Sequence, residues 1–222
     1  MTVMRITNLI MSCTKGKHFQ YSSQAALSIR AGETPEEAMA NWAANIKRSK
    51  SIYSIPALSL YTGNYWSTAK DILWTTDNLE LWVISAELDF LNSRDLVDAY
   101  EATFHDLPFS HRHWWRELTN TFGKEQTEIS IGTLMEARPT DDFVIAASPV
   151  YIAAVEDDML AAVSKLYNPI TQLTVVTSGA YSGCLEPYLI RSESHMMKDL
   201  SSNMVCLNIK LAKYIIGSQR YQ

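Results

Sequence analysis

The chain has 222 residues, 47% of them hydrophobic, with 19 Lys plus Arg against 24 Asp plus Glu, for a formal net charge of −5. That length suffices for one well-buried core, and the acidic balance excludes a generally basic nucleic-acid scaffold while leaving room for a local cationic cleft. Cys13, Cys184 and Cys206 are odd in number and show no CxxC pairing, which points to a reducing compartment, the cytoplasm, rather than to a disulfide scaffold or a structural zinc.

Taken in chain order, the opening "MTVMRITNLIMSC" is too short to span a membrane and lacks a small-residue cleavage site, so no membrane association is expected. "MRITNLIMSC" reads as a strand stopped by the turn-forming Lys15-Gly16-Lys17. In "GETPEEAMANWAANIKRSK", Thr34 stands at a helix cap, Pro35 at the first helical position and Glu37 at the reciprocal capping position. Ala38, Trp42 and Ile46 recur on one face of that helix. "YWSTAKDILW" predicts a second helix and "LELWVISA" a buried strand, with Asp95, Asp98 and Glu101 set around a short helix as caps or solvent-facing acids. "DDFVIAASP" and "QLTVVTSG" are apolar strands joined by the helical "VYIAAVEDDMLAAVSKLY", and in "CLNIKLAKYII" Leu207, Leu211, Tyr214 and Ile215 share an apolar helix face.

Continuously apolar strands alternating with helices predict an α/β fold: an open, mostly parallel sheet with helices on both faces, Rossmann-like in layering but without a dinucleotide fingerprint. We read residues 1–222 as a single domain, with a helical insertion at 33–50 and an aromatic and basic loop-helix segment at 104–117.

Ligands of open parallel sheets gather beyond the carboxyl ends of the strands. The predicted ends, Ser12/Cys13, Ser85/Ala86, Ser148/Pro149 and Ser178/Gly179, therefore outline a cleft. At the first, turn amides with Lys15 and Lys17 suit phosphate, although the segment is not a Walker A motif. Cys13 has three readings: a nucleophile, a polar wall, or plain packing. Beyond the second end, Glu87 and Asp89 compete as a carboxylate that activates water or stabilises an electron-poor sugar. "FHDLPFSHRHWWRE" interleaves histidine, arginine and tryptophan, a mix that suits base stacking with phosphate contact. His105, Asp106, His111 and His113 can instead be read as metal ligands, although their spacing matches no specific metal signature, and a tryptophan-anchored structural segment is the third reading.

"LIMSCTKGK", "LSLYTGNYWSTAK", "VISAELDFLNSRDLVDAYEATF" and "CLNIKLAKYII" together resemble, in the same order, a small family of bacterial and phage proteins with SCxKxK-like, LYxGxxF and SAExGLLxPDxxIxPYDxTF motifs. That family is similar in turn to the peroxide-stress YaaA-like proteins and to parts of enzymes handling 7-deazaguanine bases. The resemblance runs from Leu9 to Ile216 and implies a pocket edged by Ser12, Cys13, Lys15 and Lys17, by Tyr61, Thr62 and Gly63, and by Ser85, Ala86 and Glu87. Tyr100, Thr103 and Phe104 would close it, with Asn208 at the polar position of the terminal helix. Where the family tends to carry glycine, this chain has Asp89. Either the aspartate brings a carboxylate of new purpose, or the turn does not need a positive φ.

These features lead to an expected DNA N-glycosidase that hydrolyses the base–sugar bond of a modified nucleobase, for which anti-phage defence is a fitting setting. Phe104, His113, Trp114 or Trp115 would stack on or replace an extruded base. Lys15, Lys17, Arg112 and Arg116 would hold phosphates, Tyr61 or Tyr100 would position the base, and Glu87 or Asp89 would carry the chemistry. No metal or other cofactor is expected, and the partner is DNA or a modified base or nucleoside. One alternative is a non-enzymatic DNA-binding stress or defence protein, which needs only an electropositive stacking surface; another is an enzyme of free nucleosides or nucleotides, which needs a small pocket.

Overall fold

The computed structural model describes residues 5–18, 27–49, 54–98, 103–122 and 130–219. The first strand, β1 (Thr7–Ser12), is followed by α1 (Pro35–Ser49), then by the two-residue β2 (Ile55–Pro56), the single turn α2 (Ala57–Leu60) and α3 (Asn64–Thr75). A hairpin pairs β3 (Leu79–Ser85) with β4 (Asp89–Asn92), and β5 (Leu96–Val97) pairs antiparallel with β2. After a 3-10 turn at Phe104–Asp106 come α4 (His111–Phe122), α5 (Ile131–Ala137), β6 (Asp142–Ala146) and α6 (Pro149–Ala162). The chain continues through α7 (Pro169–Gln172), β7 (Leu173–Ser178), β8 (Leu189–Ser192), α8 (Met196–Asp199) and α9 (Leu207–Gln219).

Among the described residues, six strands form one sheet in the order β4-β3-β1-β6-β7-β8. Every pairing in it is parallel except β3 with β4. The fold is thus α/β with a mixed, mostly parallel sheet. Helices α3 and α9 pack on one face, and α6 and α4 on the other, with α1 and α5 packed against them. The central strands are apolar along their length because both faces are covered. Each strand predicted from the sequence forms inside its expected segment, with bounds that differ by up to three residues. The antiparallel β4 and the edge strand β8 were not anticipated: both are only four residues long and leave little periodic signal.

Local chemistry explains the helix starts. Thr34 Oγ1 accepts from the Glu37 amide at 3.3 Å while Glu37 Oε2 accepts from the Thr34 amide at 3.0 Å, the capping box expected from the sequence. Gly63 has φ 92°, a conformation that favours glycine, and leads the chain into α3. Two local expectations are corrected. The stretch around Asp95 and Asp98 is a turn and the short strand β5, not a helix, because Asp95 Oδ2 accepts from the Asn92 amide and closes the turn. In α9, Tyr214 points to solvent, and Ile209, Ala212 and Ile216 complete the buried face with Leu207 and Leu211. Glu101 and Tyr100 lie outside the described residues. Among the described residues, no helix is long and apolar enough to cross a membrane.

Candidate active-site cleft

Strand order places the cleft. From β1 the chain moves to β3 on one side, and from β6 it moves to β7 on the other. The connections therefore diverge between β1 and β6, the switch point where open sheets bind ligands. A cavity of about 580 Å³ opens there. Ser12, Cys13, Thr14 and Lys15 approach it from β1, Ser148 and Tyr151 from the start of α6, and Ser178 and Ser192 from the ends of β7 and β8. Thr103 and His105 form one side, Tyr65 and Asn208 belong to the opposite helical layer, and the exposed Met204 and Val205 supply an apolar rim.

The walls are held by hydrogen bonds that leave part of each polar group for a ligand. Asn208 donates to the Ala147 carbonyl at 2.9 Å and accepts from Ser192 Oγ at 2.6 Å, which fixes its amide plane. Tyr65 donates to the Ala146 carbonyl at 2.5 Å, and burial raises its pKa well above the ordinary phenol value. Ser148 is the residue before α6 but does not cap it through its side chain, and its buried Oγ has no hydrogen-bond partner. Lys15 pairs with Asp106 at 3.0 Å, and this ion pair holds the Asp106 carboxyl below its usual range.

Cys13 is buried and lies 3.2 Å from Tyr151 Oη. Burial pushes its thiol pKa up, against the opposing pull of Tyr151, the Ala86 amide and the Lys17 charge, and Glu87 adds to the upward shift. A neutral thiol of this kind is a polar wall, and the nucleophile reading loses its electrostatic basis.

The second predicted strand end, Ser85/Ala86, does not reach the cavity. Chain reversal at Ala86–Leu88 sends Glu87 and Asp89 into the interior, where they are 0% and 3% exposed. Two tryptophans roof the turn: Trp42 Nε1 donates to the Glu87 carbonyl and Trp114 Nε1 to the Ala86 carbonyl, each at 2.8 Å. The two acids also differ. Glu87 acts electrostatically on the cleft residue Cys13, whereas Asp89 interacts with Asp158 of α6. Burial and that like charge push the Asp89 pKa up to about 9. Asp89 has φ 73°, so the turn does require the left-handed conformation, and the reading in which it does not is overturned. One Asp89 carboxyl oxygen, Oδ1, is buried without a hydrogen-bond partner.

The aromatic and basic segment is also used internally. Trp114 and Trp115 are 0% and 3% exposed, so the stacking surface expected of them does not form: α4 turns this face into the core. Phe104 is buried edge-on to Tyr151, with ring centroids 4.9 Å apart, and is not a wall. Arg112 was expected on phosphate. Instead it donates to Glu156 at 2.5 Å, to Asp157 at 2.9 Å and to the Ala153 carbonyl at 3.1 Å, joining α4 to α6. Buried Glu156 also accepts from the Cys184 amide at 2.6 Å, and a side chain at Gly183 would strike its carboxylate. His113 contacts Glu36 and Glu117 rather than the cleft.

Of the remaining predicted residues, Tyr61 is buried and stacked on Trp66, and Lys17 extends over the Tyr61 ring at 5.9 Å. Their backbones form a bridge that ties the loop after β1 to the segment before α3. Gly63 belongs to that same support and does not line the cavity. Thus Ser12, Cys13, Lys15 and Asn208 come together in the cleft, while Lys17, Tyr61, Gly63, Phe104 and the two acids stand behind or beside it. Sequence reasoning missed Tyr65, Tyr151 and Ser192. Tyr151 had a usable signal, since it lies two residues past the Pro149 that opens a helix directly after a strand.

No curated protein matches the chain. Residues 45–181, more than half of the sequence, match a family of unknown function, DUF6884, and the chain belongs to that family.

Proposed function

We propose that the protein is a base-handling enzyme that takes a nucleoside or nucleotide into the cleft at the β1–β6 switch point and hydrolyses its base–sugar bond. The observation that carries this reading is the cleft: about 580 Å³, with hydroxyls, a fixed amide, an imidazole and a lysine around it and an apolar rim. Such a lining suits a flat, polar heterocycle that needs hydrogen bonds at its edges and contact on its face. The resemblance to base-handling proteins supports the same ligand class. Free nucleosides move ahead of DNA because Trp114 and Trp115 are buried and Arg112 is engaged by Glu156 and Asp157, which leaves none of the three as a stacking or phosphate contact for a strand.

For the chemistry, Glu87 is the better of the two acids, since its charge reaches Cys13 in the cleft wall. Buried and outside the cavity lining, Glu87 would act through the Cys13 wall, while Lys15 and His105 line the cleft itself. Incubation with free nucleosides, nucleotides, and modified and unmodified DNA, followed by mass analysis of released bases, tests the reading. Release from a nucleoside or nucleotide, lost in Glu87→Gln, is the expected result. Release from DNA alone would restore a DNA N-glycosidase, and binding without any product would favour a non-enzymatic binder.

A further inference from the structure

Away from the cleft, α1 and α4 bring three side chains to one point. Glu36 stands in the first turn of α1, and His113 and Glu117 are four residues apart in α4, which sets them on one helix face. His113 Nε2 is 2.8 Å from Glu36 Oε1 and 3.6 Å from Glu117 Oε1. One donor atom from each residue lies within 4.8 Å of the other two. A divalent first-row ion with ligand distances of about 2.1 Å places neighbouring donor atoms roughly 3–3.5 Å apart. The two His113 separations bracket that spacing, so small side-chain rotations would seat an ion between the helices.

Donor type and access agree with this. One imidazole with two carboxylates suits zinc, cobalt, iron or manganese rather than a thiophilic ion. A cavity of about 430 Å³, lined in part by His113, Ser110 and Arg116, adjoins the imidazole, and all three side chains of the cluster are partly exposed, so an ion can reach them. The competing reading is an ion-pair network in which protonated His113 neutralises the acids, with Arg116 Nε 3.9 Å from Glu117 as a further cation.

We propose that Glu36, His113 and Glu117 form a divalent transition-metal site that staples α1 to α4. These helices carry Trp42 and Trp114, the two indoles bonded to the 86–87 turn. An ion between them would clamp the roof over Glu87 and Asp89, and so would stabilise the interior side of the cleft without touching it.

The test is titration of the whole chain with Co²⁺, followed by visible absorption, alongside thermal unfolding with and without Zn²⁺. One equivalent of Co²⁺ should bind with nitrogen and oxygen ligand-field bands and no thiolate charge-transfer band, and Zn²⁺ should raise the Tm by several degrees. His113→Ala should abolish both effects. Glu36→Gln, at an exposed position that leaves the fold intact, should weaken binding at least tenfold. No uptake, uptake with thiolate bands, or equal uptake by Glu36→Gln would overturn the site and leave an ion-pair cluster only.

Discussion

Two stretches of the sheet's carboxyl edge obey the same topological rule and end differently. Beyond β1, β6, β7 and β8 the edge is open, and hydroxyls, Lys15 and Asn208 surround a cavity. Beyond β3 the edge is closed: the chain doubles back into β4, and Trp42 and Trp114 cover the turn that carries Glu87 and Asp89. A strand end therefore identifies where chemistry can gather, but what packs above it decides whether a ligand gets there. On the open side α6 and α9 start at the edge and present their first turns. On the closed side the indoles of Trp42 from α1 and Trp114 from α4 cover it.

Breaking the roof should have the largest effect. Trp114→Ala removes a fully buried indole and leaves the Ala86 carbonyl without its donor, and should cost about 3–5 kcal/mol in denaturant unfolding. If instead Trp114 served a ligand, stability would hold and only binding would change.

The Arg112 link between α4 and α6 comes next. Arg112→Ala leaves the 1% exposed Glu156 carboxylate with the Cys184 amide as its main support. Because Arg112 itself is half exposed, the expected cost is about 2 kcal/mol rather than that of a fully buried pair. Affinity for nucleosides should be unaffected.

Asp89→Gly should stabilise the protein by about 1–2 kcal/mol, since it relieves a positive φ and removes a buried unpartnered carboxyl oxygen. The pH dependence sharpens this. The folded pKa of about 9 lies above the ordinary carboxyl value, so between about pH 4 and 9 the folded state holds a proton that the unfolded state has lost. Asp89 thus makes stability fall as pH rises through that window. Thermal melts of Asp89→Gly from pH 5 to 9 should show a shallower decline than those of the parent chain. An unchanged slope would place the carboxyl in water.

On the open edge the effects on stability should be smallest. His105→Ala removes an exposed ring and should shift unfolding by less than about 0.5 kcal/mol while lowering nucleoside affinity or turnover. A variant that binds and turns over like the parent would remove His105 from the site.

The sequence by itself determined the layering and the location of the cleft. Short apolar runs such as "LELWVIS" read as strands covered on both faces, and the Thr34 to Glu37 capping pattern marks a helix start through local hydrogen bonds. Ser12, Cys13, Lys15, Ser148 and Ser178 could be placed at one edge because parallel connectivity brings strand ends together, whereas Asn208 was placed there only by the family resemblance. Only the tertiary structure decided which functional residue types face the cleft. Histidine, arginine and tryptophan in "HRHWW" suit a nucleic-acid surface and a buried helix face equally well, and the phase of α4 against β4 and α6 settles the matter. Asp89 shows the same limit: an acid after a strand reads as chemistry, but a hairpin with a left-handed residue turned it into the core, beside a carboxylate more than sixty residues away. Local patterns encode what each segment forms, whereas access and charge depend on neighbours that are distant in sequence.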